Sequence, residues 1–199
     1  MSIDEGYIKY KAFWNKKAIT IDSVLLNELN RIRSLLVNYH MIGKIPNGPG
    51  YGNISVRSTE DCFLISGTNT GHLSKLESKD ISLVTHVNVD TNSVWNSGET
   101  QASSESMSHA VIYKEKTKVN AVIHIHYNRL WEKLLNTLPT IASKIEYGTP
   151  ELAYALAEEI KTNNKKSLLI LGGHEDGIIS YGSTLQEAYE AIEEEYLSL

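Results

Sequence analysis

Two histidines separated by one residue, His124 and His126, carry the strongest chemical signal in the sequence. The run 118–126 alternates in the manner of a β-strand, and side chains two positions apart on a strand point to the same face. We therefore expect the two imidazoles to project side by side. Neutral imidazole is a good ligand for zinc and neighbouring divalent ions, so the pair predicts part of a metal site. The alternative is a half-exposed strand whose polar face happens to carry two histidines.

A third ligand must come from elsewhere in the chain, because catalytic zinc usually takes three protein ligands and leaves one position open. The turn at residues 172–177 is rich in glycine and acidic residues, and two short apolar runs that predict strands flank it. Ligands and catalytic groups are often carried by loops on a rigid scaffold. His174 in this turn is therefore the natural third imidazole, with a solvated turn histidine as the alternative interpretation.

The segment Ser103-Ser104-Glu105 could bind an anion. The two serines are predicted to cap a helix, with Glu105 in its first turn. The free N–H groups and the positive end of the helix dipole attract anions, and serine hydroxyls add hydrogen-bond donors. Taken alone, the segment is more typical of an ordinary helix cap, because caps of this type are common.

Several short motifs follow one another in an order and at spacings that are hard to obtain by chance. They are Gly52-Asn53-Ile54-Ser55, Ile65-Ser66-Gly67-Thr68, Ser103-Ser104-Glu105, His124-Ile125-His126, Gly148-Thr149-Pro150-Glu151-Leu152 and Gly173-His174-Glu175-Asp176-Gly177. From about residue 21 to residue 196, the chain resembles the class II aldolase and adducin family. Zinc-dependent fuculose-phosphate and rhamnulose-phosphate aldolases are the familiar enzymes of that family.

The resemblance implies a binding site for a phosphate group. It assigns this role to the Gly-Asn-x-Ser loop, the Ser-Gly loop and the paired serines, namely Asn53, Ser66, Gly67, Ser103 and Ser104. Backbone N–H groups in glycine loops and at a helix N-terminus can hold an anion without a cluster of lysines.

The resemblance also implies that His124, His126 and His174 bind the metal. In the family, the third histidine usually stands directly before the glycine that opens the last strand, and Asp176 holds that position here. We expect His174 to be the ligand and retain Asp176 as the alternative. A nearby Asp176 could instead accept a hydrogen bond from an imidazole N–H.

The implied activity is that of an enzyme, a divalent-metal-dependent lyase of the class II aldolase type. It would cleave a small phosphorylated sugar or hydroxy-carbonyl compound through a metal-stabilised enediolate, with Glu105 as general base and acid. The expected cofactor is Zn²⁺ or another divalent ion such as Mn²⁺, Co²⁺ or Fe²⁺. A sugar-phosphate epimerase, dehydratase or decarboxylase, or a non-catalytic adducin-like assembly module, is the alternative. The family's aldolases also use a tyrosine from a neighbouring subunit, and the sequence does not place it.

Local patterns predict alternating strands and helices. Helices are predicted over 22–40, after Ser103, from Thr149 to about 161 and from Thr184, and strands near 54–57, 62–66, 81–89 and 118–126. Several connections are too short for parallel crossovers. We therefore expect an α/β fold with three αβα layers and a central, mainly antiparallel sheet. Residues 1–199 are expected to form a single domain, with residues 1–20 as an N-terminal extension.

Composition limits the classes of partner. The chain has 199 residues, 41% hydrophobic and 22% charged, and a net charge of −5 that argues against a nucleic-acid surface. Residues 1–5 lack the features of a signal peptide, there is no membrane-spanning run, and Cys62 alone cannot form an internal disulfide. We therefore expect a cytoplasmic protein. The resemblance implies a homo-oligomer, most simply a tetramer, and the apolar tail 196–199 agrees with this expectation.

Overall fold

A nine-stranded sheet forms the centre of the computed structural model, which describes residues 7–163 and 166–199. In chain order the elements are β1 (Lys11–Lys16), α1 (Ser23–Asn38), β2 (Gly43–Lys44), β3 (Gly50–Tyr51), β4 (Asn53–Arg57), β5 (Phe63–Ser66), β6 (Ile81–Asn88), β7 (Ser93–Gly98), α2 (Ser106–Glu115), β8 (Ala121–His126), α3 (Asn128–Leu134), β9 (Thr140–Ile141), α4 (Pro150–Thr162), β10 (Leu168–Leu171), β11 (Gly177–Gly182) and α5 (Leu185–Leu197). Strands β2 and β3 form a separate small hairpin.

The order of strands in the sheet is β1-β7-β6-β5-β4-β8-β11-β10-β9. All neighbours pair antiparallel except β1 with β7 and β9 with β10, at the two edges. The short connections from β4 to β5, β6 to β7 and β10 to β11 allow only hairpins, which is why the centre is antiparallel. The prediction of a mainly antiparallel sheet is confirmed.

Helices cover both faces of this sheet. One hydrophobic cluster joins α1, α3 and α5 to one face, and a second joins α2 and α4 to the other. Successive residues of β8 face opposite sides of the sheet. Ile123 and Ile125 belong to the first cluster, and Val122 belongs to the second. The predicted three αβα layers are therefore confirmed, and β8 is buried on both faces.

Helix starts agree with the sequence patterns in α4 and α5 but not in α2. Thr149 accepts a hydrogen bond from the N–H of Leu152, and Thr184 accepts one from the N–H of Glu187. Helix α2 begins only at Ser106, because the serines before it form a separate turn and Glu105 occupies the N-cap position. The prediction that Glu105 lies in the first turn of this helix is therefore wrong, because Glu105 is the residue directly before the helix.

The N-terminal segment joins the sheet, which the sequence patterns do not indicate. Strand β1 pairs in parallel with β7, so Phe13 stacks on Trp95 with 4.5 Å between ring centroids. The indole N–H of Trp14 donates to the Gly98 carbonyl at 2.9 Å. Residues 1–6, which include the stretch considered for a signal peptide, lie outside the described residues. In the part that the structure describes, no helix is long and apolar enough to cross a membrane.

The core contacts of α1 predict a stability difference between two positions on that helix. Leu36 is fully buried in the first hydrophobic cluster, whereas Val24 is 73% exposed. We expect Leu36→Ala to lower the free energy of unfolding by about 2–5 kcal/mol, because it leaves a cavity. The control Val24→Ala should change it by less than about 0.5 kcal/mol. Urea denaturation measures both, and equal effects would contradict the assigned burial of α1.

Candidate metal centre

His124 and His126 lie side by side at the C-terminal end of β8 and point toward the layer of α2 and α4. They share the face of Val122, because they follow it at intervals of two residues. Their exposures are 0% and 1%, so the alternative of a half-exposed strand is wrong. The two Nε2 atoms are 3.0 Å apart, with the ring planes inclined by 79°.

His174 completes a cluster of three imidazoles from the turn between β10 and β11. Its ring centroid lies 5.2 Å from that of His124 and 4.7 Å from that of His126. The potential ligand atoms of the three residues all lie within 4.8 Å of one another. Gly177, which pairs with His126 across the sheet, makes room for this arrangement. A Cβ atom there would lie 3.2 Å from Cγ of His174 and 3.3 Å from Cε1 of His124.

The structure places Asp176 outside this cluster. Its backbone has a φ of 66°, and its carboxylate accepts a hydrogen bond from Nδ2 of Asn128 at 2.9 Å. Its carbonyl accepts the N–H of Tyr127 at 3.0 Å. Among the described residues, the group that could hold a metal ion contains the three histidines and not Asp176.

The electrostatics of the cluster favour neutral imidazoles. Burial lowers the pKa of His124 and of His126 well below the usual value, and the charge of His174 lowers both further. Nδ1 of His124 donates to the carbonyl of Ile178 at 3.2 Å, which leaves the Nε2 lone pair facing His126. For His126, a backbone hydrogen bond with Glu175 opposes the lowering of the pKa. Neutral imidazole nitrogens that lie this close together are a donor set suited to a divalent ion.

Glu105 lies beside the cluster and is buried. Its Oε1 is 3.9 Å from Nδ1 of His174, and its Oε2 accepts a hydrogen bond from Ser108 at 3.2 Å. The carboxylate reaches this position because Glu105 stands at the N-cap of α2, where the helix meets the face of β8. A carboxylate so close to the imidazoles can exchange a proton with a ligand bound there.

The residues expected to bind phosphate come from separate segments that the fold brings near the histidines. Asn53 pairs with His124 across the sheet, and the hydroxyl of Ser66 accepts the N–H of Ile54 at 3.2 Å. Gly67 forms an isolated β-bridge with Ala102, which places the Ser-Gly loop beside the paired serines.

These residues differ in what they offer a ligand. The N–H of Gly67 already donates to the Asp80 carbonyl at 2.8 Å, so Gly67 supplies space rather than a donor. A Cβ atom there would overlap the side chain of Thr100, which explains the glycine. Ser103 accepts the N–H of Glu105 at 3.3 Å, and Ser104 is buried next to it.

Tyr147, for which the sequence patterns predict no role, packs directly on the third imidazole. Its ring is stacked on His174 with 4.4 Å between centroids and 17° between planes. The ammonium group of Lys9 lies 3.9 Å from the Tyr147 centroid and forms an ion pair with Glu146 at 2.5 Å. The only local signal is that Tyr147 directly precedes the motif at Gly148. The contact itself depends on long-range folding.

A groove of about 1110 Å³ lies elsewhere, lined in part by Cys62, Tyr113, Tyr154 and Lys161. None of the residues predicted to bind metal or phosphate, nor Glu105, lines it. The groove is therefore a feature of the surface separate from the histidine cluster.

Comparisons with known proteins show the family of this chain. The sequence profile of the family described as Class II Aldolase and Adducin N-terminal domain matches residues 47–196. An L-fuculose phosphate aldolase of Methanocaldococcus jannaschii is 30% identical over 160 residues, which cover 71% of this chain and 78% of that protein.

Solved structures share the fold. An L-fuculose 1-phosphate aldolase is similar with a TM-score of 0.64 at 23% identity, over 87% of this chain and 82% of that one. The L-fuculose-1-phosphate aldolase of Thermus thermophilus has a TM-score of 0.64 at 22% identity, over 89% and 92%. A putative aldolase/epimerase/decarboxylase of Klebsiella pneumoniae also has a TM-score of 0.64, at 20% identity over 88% and 86%. Since the profile match covers most of the chain, the protein belongs to the class II aldolase and adducin family.

Proposed function

We propose that this protein is a divalent-metal-dependent lyase of the aldolase type, acting on a small phosphorylated sugar or related hydroxy-carbonyl compound. The observation that carries the proposal is the convergence of three buried imidazoles within 4.8 Å, with a carboxylate oxygen of Glu105 at 3.9 Å from His174. Buried polar groups without a function cost free energy, so such a cluster favours a ligand over a purely structural role.

The donor set fits Zn²⁺ or a similar divalent ion. His124, His126 and His174 would hold it, since burial keeps the first two neutral and the bond to Ile178 orients the first. When bound, such an ion polarises a substrate carbonyl and stabilises the negative charge that develops as a carbon–carbon bond breaks. Asp176 is not part of the proposed ligand set, because its carboxylate is bonded to Asn128.

Glu105 is the proposed proton-transfer group. Its carboxylate accepts a proton in one direction of the reaction and returns it in the other. Ser108 holds one oxygen through a hydrogen bond, which fixes the orientation of the carboxylate against the cluster. The low exposure of Glu105 also keeps bulk water away from the proton that it moves.

Asn53, Ser66, Ser103 and Ser104 are proposed to hold the phosphate of the substrate, with Gly67 allowing the close approach of the loops. The N-terminus of α2 adds a favourable dipole next to the paired serines. A phosphate held there would place the rest of a short substrate against the histidines. This arrangement supports a phosphorylated ligand despite the net negative charge of the chain.

The names of two relatives bear on substrate class and reaction type. The relative that shares 30% identity is named as an L-fuculose phosphate aldolase, which supports a phosphorylated ketose and aldol cleavage. The neighbour named as a putative aldolase/epimerase/decarboxylase keeps epimerisation and decarboxylation as the second candidate reaction. A non-catalytic assembly role is disfavoured, because nothing in such a role requires three buried histidines beside a buried glutamate.

The metal assignment is tested by elemental analysis of the purified protein. We expect about one Zn²⁺ or similar ion per subunit in the wild type and loss of that ion in the double variant His124→Ala with His126→Ala. His72→Ala, which changes an exposed histidine, is the matched control and should retain the metal. Unchanged metal content in the double variant would refute the assignment.

The role of Glu105 is tested by the variant Glu105→Gln, which keeps size and hydrogen bonding but removes the base. In a screen of phosphorylated ketoses that includes L-fuculose 1-phosphate, we expect turnover to fall roughly 10²–10⁴-fold while the metal stays bound. Glu190→Gln, on the exposed face of α5, should retain full turnover. Full activity of Glu105→Gln would mean that another group moves the proton.

We also propose that the protein is a homo-oligomer, with a cyclic tetramer as the specific form. Tyr196 packs back onto Tyr39 at 4.8 Å, but Leu197 remains 75% exposed and Leu199 41% exposed. An interface with another copy would cover these side chains. Light scattering over a dilution series should give a multiple of the 22.3 kDa subunit mass. A fully active monomer would rule out this assembly.

A further inference from the structure

The inner face of α2 carries a polar stripe that the proposed function uses only in part. Glu105, His109 and Tyr113 follow one another at intervals of four residues and are all buried. Residues four apart lie on the same face of a helix, so the three side chains point in a common direction. Glu105 approaches His174 at one end of the stripe, and Tyr113 contacts Ser55 at the other. His109 therefore lies between the metal cluster and a hydrogen-bonded pair.

Ser55 links His109 to Tyr113. Its Oγ lies 2.7 Å from Nδ1 of His109 and 2.7 Å from the phenol oxygen of Tyr113. Ser55 is on β4, two residues after Asn53, and Asn53 pairs with His124 across the sheet. The side chains of Ser55 and Asn53 consequently lie on one face, next to the histidine cluster.

The direction of hydrogen bonding in this chain determines which nitrogen of His109 carries its proton. Burial raises the pKa of Tyr113, so the phenol keeps its hydrogen. Ser55 Oγ lies within hydrogen-bond distance of the phenol oxygen, and either hydroxyl can be the donor. With Tyr113 as the donor to Ser55, Ser55 donates its own hydrogen to Nδ1 of His109, and the neutral ring carries its proton on Nε2.

Two buried polar atoms near the cluster have no hydrogen-bond partner in the described part of the chain. They are Nε2 of His109 and Oδ1 of Asn53. Nε2 lies on the ring edge opposite Nδ1, and therefore opposite Ser55. Buried polar atoms are nearly always paired in folded proteins, so one donor and one acceptor here indicate a missing ligand.

His109 also interacts electrostatically with a residue of the proposed metal site. Burial and the charges of His174 and His109 all lower the pKa of His124. Burial alone lowers the pKa of His109 to about 3, so this ring is neutral at physiological pH. A neutral ring offers an N–H donor without placing a positive charge beside the metal ligands.

We propose that His109 is a substrate-binding residue whose Nε2–H donates a hydrogen bond to an oxygen of a bound phosphorylated hydroxyketone. Asn53 accepts a hydroxyl of the same ligand through Oδ1. Ser55 and Tyr113 are positioning residues that hold the required tautomer of His109. This inference rests on the proposed function, because it assumes that the ligand occupies the space beside the three histidines.

The tautomer is tested first, in a measurement that needs no activity. Long-range ¹H–¹⁵N spectra of protein labelled at histidine should show His109 as the Nε2–H form, with and without added Zn²⁺. Tyr113→Phe removes the phenol hydrogen but keeps the ring that packs on Phe63. This variant should give a mixture of both tautomers. An Nδ1–H form in the wild type would overturn the proposed donor.

Binding of dihydroxyacetone phosphate to the zinc-loaded protein is tested second, by calorimetry. His109→Gln places an amide near the position of Nε2, whereas His109→Asn keeps only a group near Nδ1 and the link to Ser55. We expect His109→Asn to weaken binding about tenfold and His109→Gln to weaken it less, because only the second retains the donor. His72→Asn, at an exposed position, is the matched control and should bind like the wild type.

Zinc content and thermal unfolding are measured for each variant. They show whether weaker binding comes from loss of the His109 hydrogen bond or from loss of the folded zinc site. Equal affinity of His109→Asn and the wild type would overturn the role of His109 while leaving the proposed function intact. Zinc-loaded wild type that does not bind dihydroxyacetone phosphate would instead overturn the proposed substrate class, and with it this inference. If His109→Asn does not fold, Tyr113→Phe provides the test, since it should weaken binding by a smaller factor. Unchanged binding in Tyr113→Phe together with an unchanged tautomer would count against the inference.

Discussion

The pairing of β8 with β4 and with β11 determines where the two strand histidines of the candidate site lie. In these registers His124 stands opposite Asn53, and His126 stands opposite Gly177. A shift of one residue would turn both imidazoles toward the layer of α1, α3 and α5 and place Ile123 and Ile125 against α2. The apolar contacts of those isoleucines therefore hold the histidines in place from the opposite face of the sheet.

Because this register buries the histidines, it also affects their pKa values. In the protein interior, His124 and His126 lose hydration, and burial together with the charge of His174 lowers the pKa of both, which keeps their nitrogen lone pairs available at neutral pH. The cost of burying them is offset by hydrogen bonds such as that from His124 to Ile178 and by the packing of Tyr147 on His174. The same reasoning applies to His109 and Tyr113 on α2, which are buried and share the hydroxyl of Ser55 as a hydrogen-bond partner.

The N-terminal segment contributes more to the site than its position at the sheet edge suggests. Strand β1 anchors the segment on β7, and from there Lys9 reaches the outer face of Tyr147. Lys9, Tyr147, His174 and His124 thus form a continuous stack from the surface to the centre of the cluster. Lys9 lies outside the family match at residues 47–196, and it therefore supports His174 through its contact with Tyr147.

The sequence by itself determined the features that depend on local periodicity and on ordered motifs. The shared face of His124 and His126 follows from the two-residue repeat of a strand, and the family follows from the order of the motifs. Short connections likewise predicted the antiparallel centre of the sheet. Only the tertiary structure groups His174, rather than Asp176, with the other two histidines, and the carboxylate of Asp176 instead accepts a hydrogen bond from Asn128. The contacts of His109, Tyr147 and Lys9 join residues far apart in the chain, and no local pattern specifies such distances.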